Sequence, residues 1–152
     1  ITMEEYRQKY FGLRCPEFLT DIGITDPELM NTIRRRKVEI YPTHFDMVTL
    51  NRPLWEFVQN FRSNGGKAMI VSTGHIDNIT NVMHYLGIEN QVDAILSSDD
   101  VVRSKPHPDC FIKAMEMAGV TPAETIIFED SQIGLDAAKA SGAAYFKVEL
   151  EF

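Results

Sequence analysis

Long hydrophobic runs are missing from this sequence, and so is any excess of positive charge. No stretch of the 152 residues approaches the roughly 20 apolar residues that cross a bilayer. The segment ITMEEYRQKY that begins it has no apolar signal-peptide core. The formal charge is −7, from 15 Lys and Arg against 22 Asp and Glu. That balance argues against nucleic acid or an anionic membrane as the main partner. Small phosphate esters remain open, because helix N-termini, a lysine and a metal hold them whatever the net charge. Cysteine is scarce: Cys15 and Cys110 stand far apart, in no CxxC or metal-type spacing, and read as free thiols in a reducing, cytoplasmic compartment. His44, His75, His84 and His107 form no HExxH or paired-ligand pattern, which speaks against zinc chemistry. No GxGxxG fingerprint, GxxxxGK[ST] loop, internal repeat or low-complexity tract occurs.

What is present is ordinary for a globular core, 44% hydrophobic, with room for one domain and a small appendage. Residues 1 to about 45 read as helices only. Met3 to Tyr10 is a polar helix, Gly12 to Cys15 a turn, and Pro16 to Ile22 a second helical piece. Thr25 or Asp26 caps a third helix with Pro27 at its first position, running through Ile33, Val38 and Tyr41 and closed by Pro42. Its basic run, Arg34-Arg35-Arg36-Lys37, reads either as a solvated face or as a patch that attracts an anionic substrate.

From Pro53 helix and strand alternate. A helix carrying Leu54, Phe57, Val58 and Phe61 precedes the strand Ala68–Val71, and Ser72-Thr73-Gly74 leads from that strand into a helix ending at Gly87. Strand, hydroxyls, glycine, helix is an anion site, although a simple Ser/Thr helix cap has the same sequence. A third strand, Ala94–Ser97, passes through Ser98-Asp99-Asp100 to the loop Ser104-Lys105-Pro106. Pro108 opens a helix whose apolar side is Phe111, Ile112, Met115 and Ala118, stopping at Gly119. Thr125-Ile126-Ile127-Phe128 is a wholly apolar run, as expected of a strand buried on both faces of a parallel sheet, and it ends in Glu129-Asp130. Another helix, to Gly142, and a last strand, Ala144–Val148, close the α/β pattern of a doubly wound parallel sheet.

Two carboxylates at the carboxyl end of a buried parallel strand sit where open α/β sheets bind ligands, and hard oxygen donors suit Mg²⁺. Lys105 arrives at the same edge. A metal pair and a cation at one rim are what phosphoryl chemistry needs, whereas a bare Glu-Asp pair is also a solvated strand end and helix cap.

In these motifs the chain resembles the haloacid dehalogenase superfamily, in the subgroup of β-phosphoglucomutase and small-metabolite phosphatases. Ile70-Val71-Ser72-Thr73-Gly74 resembles the second motif of that family, Ser104-Lys105-Pro106 the third, and Phe128-Glu129-Asp130-Ser131 with Gly134 the fourth. The resemblance implies a Rossmann-like core over residues 46–152 and a partial α-helical cap over 1–45. It implies that Ser72 binds the transferring phosphoryl group with help from the backbone at Thr73. Lys105 would neutralise charge there, and Glu129 and Asp130 would hold Mg²⁺. The expected function is phosphatase or phosphomutase chemistry on a small phosphorylated metabolite, sugar phosphate-like, through an aspartyl-phosphate, with hydrolysis the leading form.

The family's first motif, a DxD at the end of an apolar strand, has no counterpart, for no Asp-x-Asp occurs in the 152 residues. In the family that strand is central, between Ala68–Val71 and Thr125–Phe128. Dry, unpaired backbone groups on both neighbours would cost about 1–3 kcal/mol each, a rival to the roughly 5–15 kcal/mol that holds a domain together. The expectation is that these residues belong to a larger polypeptide, or that another segment or subunit fills the place, and that the chain alone is inactive. The mutase-type cap loop has an arginine three residues after a glycine, where Gly12-Leu13-Arg14-Cys15 has cysteine, leaving Arg14 as the substitute. The alternatives are a non-catalytic remnant that binds phosphate or a protein partner, a receiver-like domain phosphorylated at the Glu129-Asp130 strand end, and a dehalogenase, for which an acidic metal pair is superfluous.

Overall fold

Residues 1–149 are described by the computed structural model. Thr2 starts the first helix: its hydroxyl accepts the Glu5 N–H and the Glu5 carboxylate accepts the Thr2 N–H, so two donors at the helix start are satisfied reciprocally. The helix α1 (Met3–Glu5) widens into a π-turn over Tyr6–Tyr10 before α2 (Cys15–Asp21). Asp26, rather than Thr25, caps α3 (Pro27–Ile40) by accepting the Glu28 N–H at 2.9 Å. Pro42 then forces a 3₁₀ turn over Tyr41–Met47. These helices pack through ring edges, Tyr10 on Phe18 at 5.1 Å, and are joined to the strand-bearing part through Phe45 on Tyr85 at 5.2 Å.

The remainder alternates: α4 (Arg52–Ser63), β1 (Met69–Val71), α5 (Ile76–Leu86), β2 (Ala94–Leu96), α6 (Asp109–Ala118), β3 (Ile126–Glu129), α7 (Gln132–Ser141) and β4 (Ala144–Lys147). The helix α4 begins one residue before Pro53 because Asn51 caps it, its side-chain oxygen accepting the Leu54 N–H. Cys110, Phe111 and Met115 of α6, Ile127 of β3, and Ala137 and Ala138 of α7 form the core, with Val71 of β1 packed against it. Both alanines are fully buried, which lets α7 lie close to the strands. On the opposite face Phe57 of α4 meets Phe128 at 5.9 Å.

Among the described residues the strands form two parallel pairs, β1 with β2 and β3 with β4, and no strand-to-strand hydrogen bonds join the pairs. The direction of each strand's polar groups follows from its partners. Ser72 N–H donates to Leu96 O at 2.9 Å and Ala68 O accepts the Asp93 N–H at 2.8 Å, so Ala68, Ile70 and Ser72 turn to β2. By the two-residue alternation the N–H and C=O of Met69 and Val71 point the other way. In β3, Glu129 O accepts the Val148 N–H at 2.8 Å, which leaves Ile126 and Phe128 turned away from β4. Met69, Val71 and Phe128 all border one cleft. Two unpaired strand edges therefore open onto the same space.

The sheet is divided into two pairs, as the lack of a first-motif strand implies, and no strand among the described residues lies between the edges of β1 and β3. Two expectations need correction. The β3 run is not buried on both faces: Ile127 is core, but Ile126 is 54% exposed, since α6 and α7 cover one face and α4 reaches only Phe128 on the other. For the same reason β4 is exposed throughout, and Phe146 lies open, stacked at 5.9 Å on Phe128. Ile112, expected on the apolar side of α6, is 40% exposed.

Candidate functional site

The turn Ser72-Thr73-Gly74 leaves β1 at its carboxyl end. Ser72 Oγ accepts the Gly74 N–H at 3.0 Å, and Gly74 O accepts the Ser98 N–H at 3.1 Å, fixing this turn to the one that follows β2. Thr73 lines the cleft, and its N–H has no hydrogen-bond partner among the described residues. An unpaired N–H beside a hydroxyl, one turn before a helix, is a donor set for an oxyanion. Asn78 Oδ1, on α5 and also at the cleft, is buried without a partner. Sequence reasoning passed over Asn78, and a lone asparagine in the first turn of a helix gives no signal.

The loop that carries Lys105 is held at both ends. Arg103 makes a paired hydrogen bond to the Asp109 carboxylate at 2.9 and 2.8 Å, and His107 N–H donates to Ser104 O at 2.9 Å. The Lys105–Pro106 peptide is cis. Lys105 runs inward, 6% exposed, over the Phe111 ring at 4.8 Å. Its Nζ donates to Glu129 Oε2 at 2.7 Å and to Val71 O at 3.2 Å. That carbonyl lies on the unpaired edge of β1. The lysine therefore bridges the two strand pairs.

Glu129 is 8% exposed and has both oxygens engaged: Lys105 on Oε2, and the Ser131 hydroxyl (2.6 Å) and N–H (3.1 Å) on Oε1. Burial pushes its carboxyl up, but the Lys105 charge and these hydrogen bonds outweigh burial and hold it below the usual range. Its neighbour moves oppositely. Partial burial and the adjacent Glu129 charge raise the Asp130 carboxyl above the usual range, although it stays exposed to water in the cleft. Ser131 caps α7 through the Gly134 N–H at 3.1 Å, and a side chain at Gly134 would overlap the Glu129 carboxylate. Gly134→Ala is expected to lower stability by about 1–3 kcal/mol through this overlap. Urea unfolding checks it, and an unchanged midpoint would mean that Glu129 moves aside freely.

The helical residues 1–45 reach the cleft through the loop at Gly12. Gly12, at φ +91°, lies so close to Ser131 and Ile133 that a Cβ would fall 2.8 Å from Ser131 Oγ. Arg14, the substitute for a distal phosphate ligand, is instead committed to the core: it donates to Ser98 O at 3.2 Å and Val102 O at 3.1 Å, and pairs with Glu17 at 2.9 Å. Ser72, Thr73, Lys105, Glu129 and Asp130, read from the sequence as the candidate set, all line this one cleft of about 1010 Å³. Arg34, Arg35 and Lys37 of α3 line it too. Among the described residues no three His, Cys, Asp or Glu side chains cluster as metal ligands, and no helix is long and apolar enough to cross a membrane.

Known proteins resemble the chain in sequence and in fold. Among curated relatives, the fructose-1-phosphate phosphatase YqaB of Escherichia coli is 33% identical over 99 residues, covering 64% of this chain and 52% of that protein. The chloroplastic 5-amino-6-(5-phospho-D-ribitylamino)uracil phosphatase of Arabidopsis thaliana is 31% identical over 114 residues, covering 74% of this chain and 31% of that protein. The chain thus spans about half the length of the first and a third of the second. Among solved structures, CbbY from Rhodobacter sphaeroides in complex with phosphate superimposes with TM-score 0.86 at 22% identity, covering 99% of this chain and 71% of that one. The β-phosphoglucomutase of Clostridium difficile gives 0.82 at 23%, covering 95% and 68%. These likenesses show the α/β Rossmann-like fold. The haloacid dehalogenase-like hydrolase profile matches residues 1–148, nearly the whole sequence and all three motifs that meet in the cleft, so the chain belongs to that family.

Proposed function

We propose that this chain forms the cap and most of the core of a Mg²⁺-dependent phosphatase for a small phosphorylated metabolite, in which an aspartate from outside residues 1–152 is the nucleophile. The observation that carries the reading is the convergence of Ser72, Thr73, Lys105, Glu129 and Asp130 on one cleft between two unpaired strand edges. Ser72 Oγ and the Thr73 N–H would hold the phosphoryl oxygens, and the Lys105 ammonium would offset the charge that builds as the group transfers. Glu129 and Asp130 fit a hard divalent cation: a raised Asp130 carboxyl beside a second carboxylate is relieved by positive charge, and Mg²⁺ commonly takes one or two carboxylates with substrate oxygens. That ion would neutralise phosphoryl oxygens and the attacking carboxylate. As Lys105 turns to the phosphoryl group, Glu129 Oε2 is freed for the same task. Water is the acceptor we favour over a second substrate hydroxyl, because Arg14 is spent on the core carbonyls and both sequence relatives described above are named phosphatases.

The nucleophile's place follows from the edges. A strand lying between β1 and β3 would take the polar groups of Met69 and Val71 on one side and Ile126 and Phe128 on the other. Its carboxyl end would arrive beside Lys105. Residues 1–152 alone are expected to show no Mg²⁺-dependent hydrolysis of an aryl phosphate, and to gain it when joined to a strand-forming segment that ends in aspartate. Turnover by residues 1–152 alone would remove the outside nucleophile, and Mg²⁺-independent turnover would remove the metal.

A further inference from the structure

The loop between the π-turn and α2 reaches each of the turns that carry the candidate residues. Gly12 packs on Ser131, the residue after Glu129-Asp130. Arg14, two residues on, uses every nitrogen of its guanidinium: Nη1 donates to Ser98 O at 3.2 Å, Nη2 to Val102 O at 3.1 Å and Nε to Glu17 Oε1 at 2.9 Å. The first two bonds join residues 84 and 88 positions apart, so a side chain of the helical region grips the backbone of the strand-bearing part.

Both carbonyls belong to segments that lead into the site. Ser98 follows β2, and its N–H donates to Gly74 O at 3.1 Å, while the Gly74 N–H donates to Ser72 Oγ at 3.0 Å. Arg14 is thereby tied through Ser98 to the Ser72 turn. Val102 stands three residues before Lys105. Its side chain is 91% exposed, so burial does not hold the backbone there, and the bond from Arg14 does. A guanidinium fork fixes two acceptors at one spacing, whereas an ammonium is a point charge on a flexible stem. Glu17 holds the fork in turn: its carboxylate also accepts the Arg14 N–H at 3.4 Å, and it stands outside the cleft wall.

We propose that Arg14 is a positioning residue for the anion site. Without touching the phosphoryl group, it sets the spacing between the Ser72 turn and the Lys105 loop, and Glu17 sets Arg14. The inference rests on the phosphatase reading, since it takes Ser72 and Lys105 as the groups that hold phosphate.

Calorimetric binding of inorganic phosphate to residues 1–152 with Mg²⁺ tests it, with urea unfolding run on each variant. Ser72→Ala is the control for the site and should weaken binding about tenfold. Arg14→Gln is expected to weaken it about tenfold, and Arg14→Lys at least about fivefold, because charge without the fork does not fix the spacing. Glu17→Ala should weaken it about threefold, even though it removes a negative charge. Attraction of the anion by the Arg14 charge gives the opposite pattern, with Arg14→Lys within about twofold of the wild type and Glu17→Ala tighter. Either of those results overturns the inference. Unchanged phosphate affinity in all three variants with a lowered urea midpoint also overturns it, since the contacts would then be structural only. Should Arg14→Gln fail to fold, Arg14→Lys and Glu17→Ala decide alone. If Ser72→Ala leaves phosphate binding unchanged, the phosphatase reading itself fails. If Ser72→Ala weakens binding and Arg14→Lys does not, that reading stands and the positioning role falls.

Discussion

Lys105→Met is expected to destabilise the protein by about 3–5 kcal/mol, because it removes one partner of a buried ion pair and leaves the other. Lys105 and Glu129 are 6% and 8% exposed, and their contact is 2.7 Å. Methionine keeps most of the length that covers Phe111 and removes only the charge and its two hydrogen bonds. Glu129→Gln in the same background should recover at least half of the loss, since the uncompensated carboxylate is gone. A double-mutant cycle by denaturant unfolding reads this coupling directly. A loss below about 1 kcal/mol would mean that water reaches the pair.

The pH dependence provides a second readout of the same change. In the wild type the Glu129 carboxyl is held below its unfolded value, so its contribution is full above the ordinary glutamate range and is lost as pH falls through the lower folded value. Without Lys105, burial, the largest influence on that carboxyl, is opposed only by the two Ser131 hydrogen bonds and is expected to push it up. A raised carboxyl reverses the sign: the variant should gain stability as pH falls from neutrality through the raised folded value toward the ordinary glutamate range. In the assembly proposed above, the same substitution should lower the rate on the order of a hundred- to a thousandfold, as loss of an aimed charge at a transferring group does.

The contrast between Lys105 and the helices shows what the sequence could reveal. The ends of α5, α6 and α7 were legible because Gly87, Gly119 and Gly142 follow apolar stripes at helical spacing, and each adopts the left-handed conformation that stops the helix. The candidate residues that line the cleft stand out because strand ends collect them: Ser72 and the Glu129-Asp130 pair each follow an apolar run. The pairing of Lys105 with Glu129 was not, since 24 residues separate them and neither local pattern marks the other. The exposed faces of β3 and β4 were also hidden. An apolar run says that a strand prefers cover on both faces, while cover depends on which other elements reach it, and here Phe57 touches only Phe128. The basic run on α3 was ambiguous for a related reason. Helical periodicity separates Arg36 from Arg34 and Arg35, but only the packing of the cap tells which side looks into the cleft.

Asp130→Asn is expected to separate metal binding from folding. In the wild type, saturating Mg²⁺ at about 100 times its dissociation constant should stabilise the protein by about 2.7 kcal/mol. In the variant the gain should fall close to zero, because the amide offers a single neutral oxygen where the ion needs a carboxylate. Without Mg²⁺ the change is expected to be neutral or mildly stabilising, since the Asp130 carboxyl is raised by partial burial and by Glu129. The exposure of Asp130 to the cleft keeps that gain small. Because the Asp130 carboxyl is raised in the folded protein, the wild type's penalty is full above the folded value and is relieved as pH falls toward the ordinary aspartate range. Mg²⁺ should flatten that pH dependence, and Asp130→Asn should flatten it without Mg²⁺. Thermal unfolding with and without the ion measures all of this in residues 1–152, with no need for turnover. An Mg²⁺-dependent shift that persists undiminished in Asp130→Asn would place the ion elsewhere. A large loss of stability without Mg²⁺ would make Asp130 a structural group.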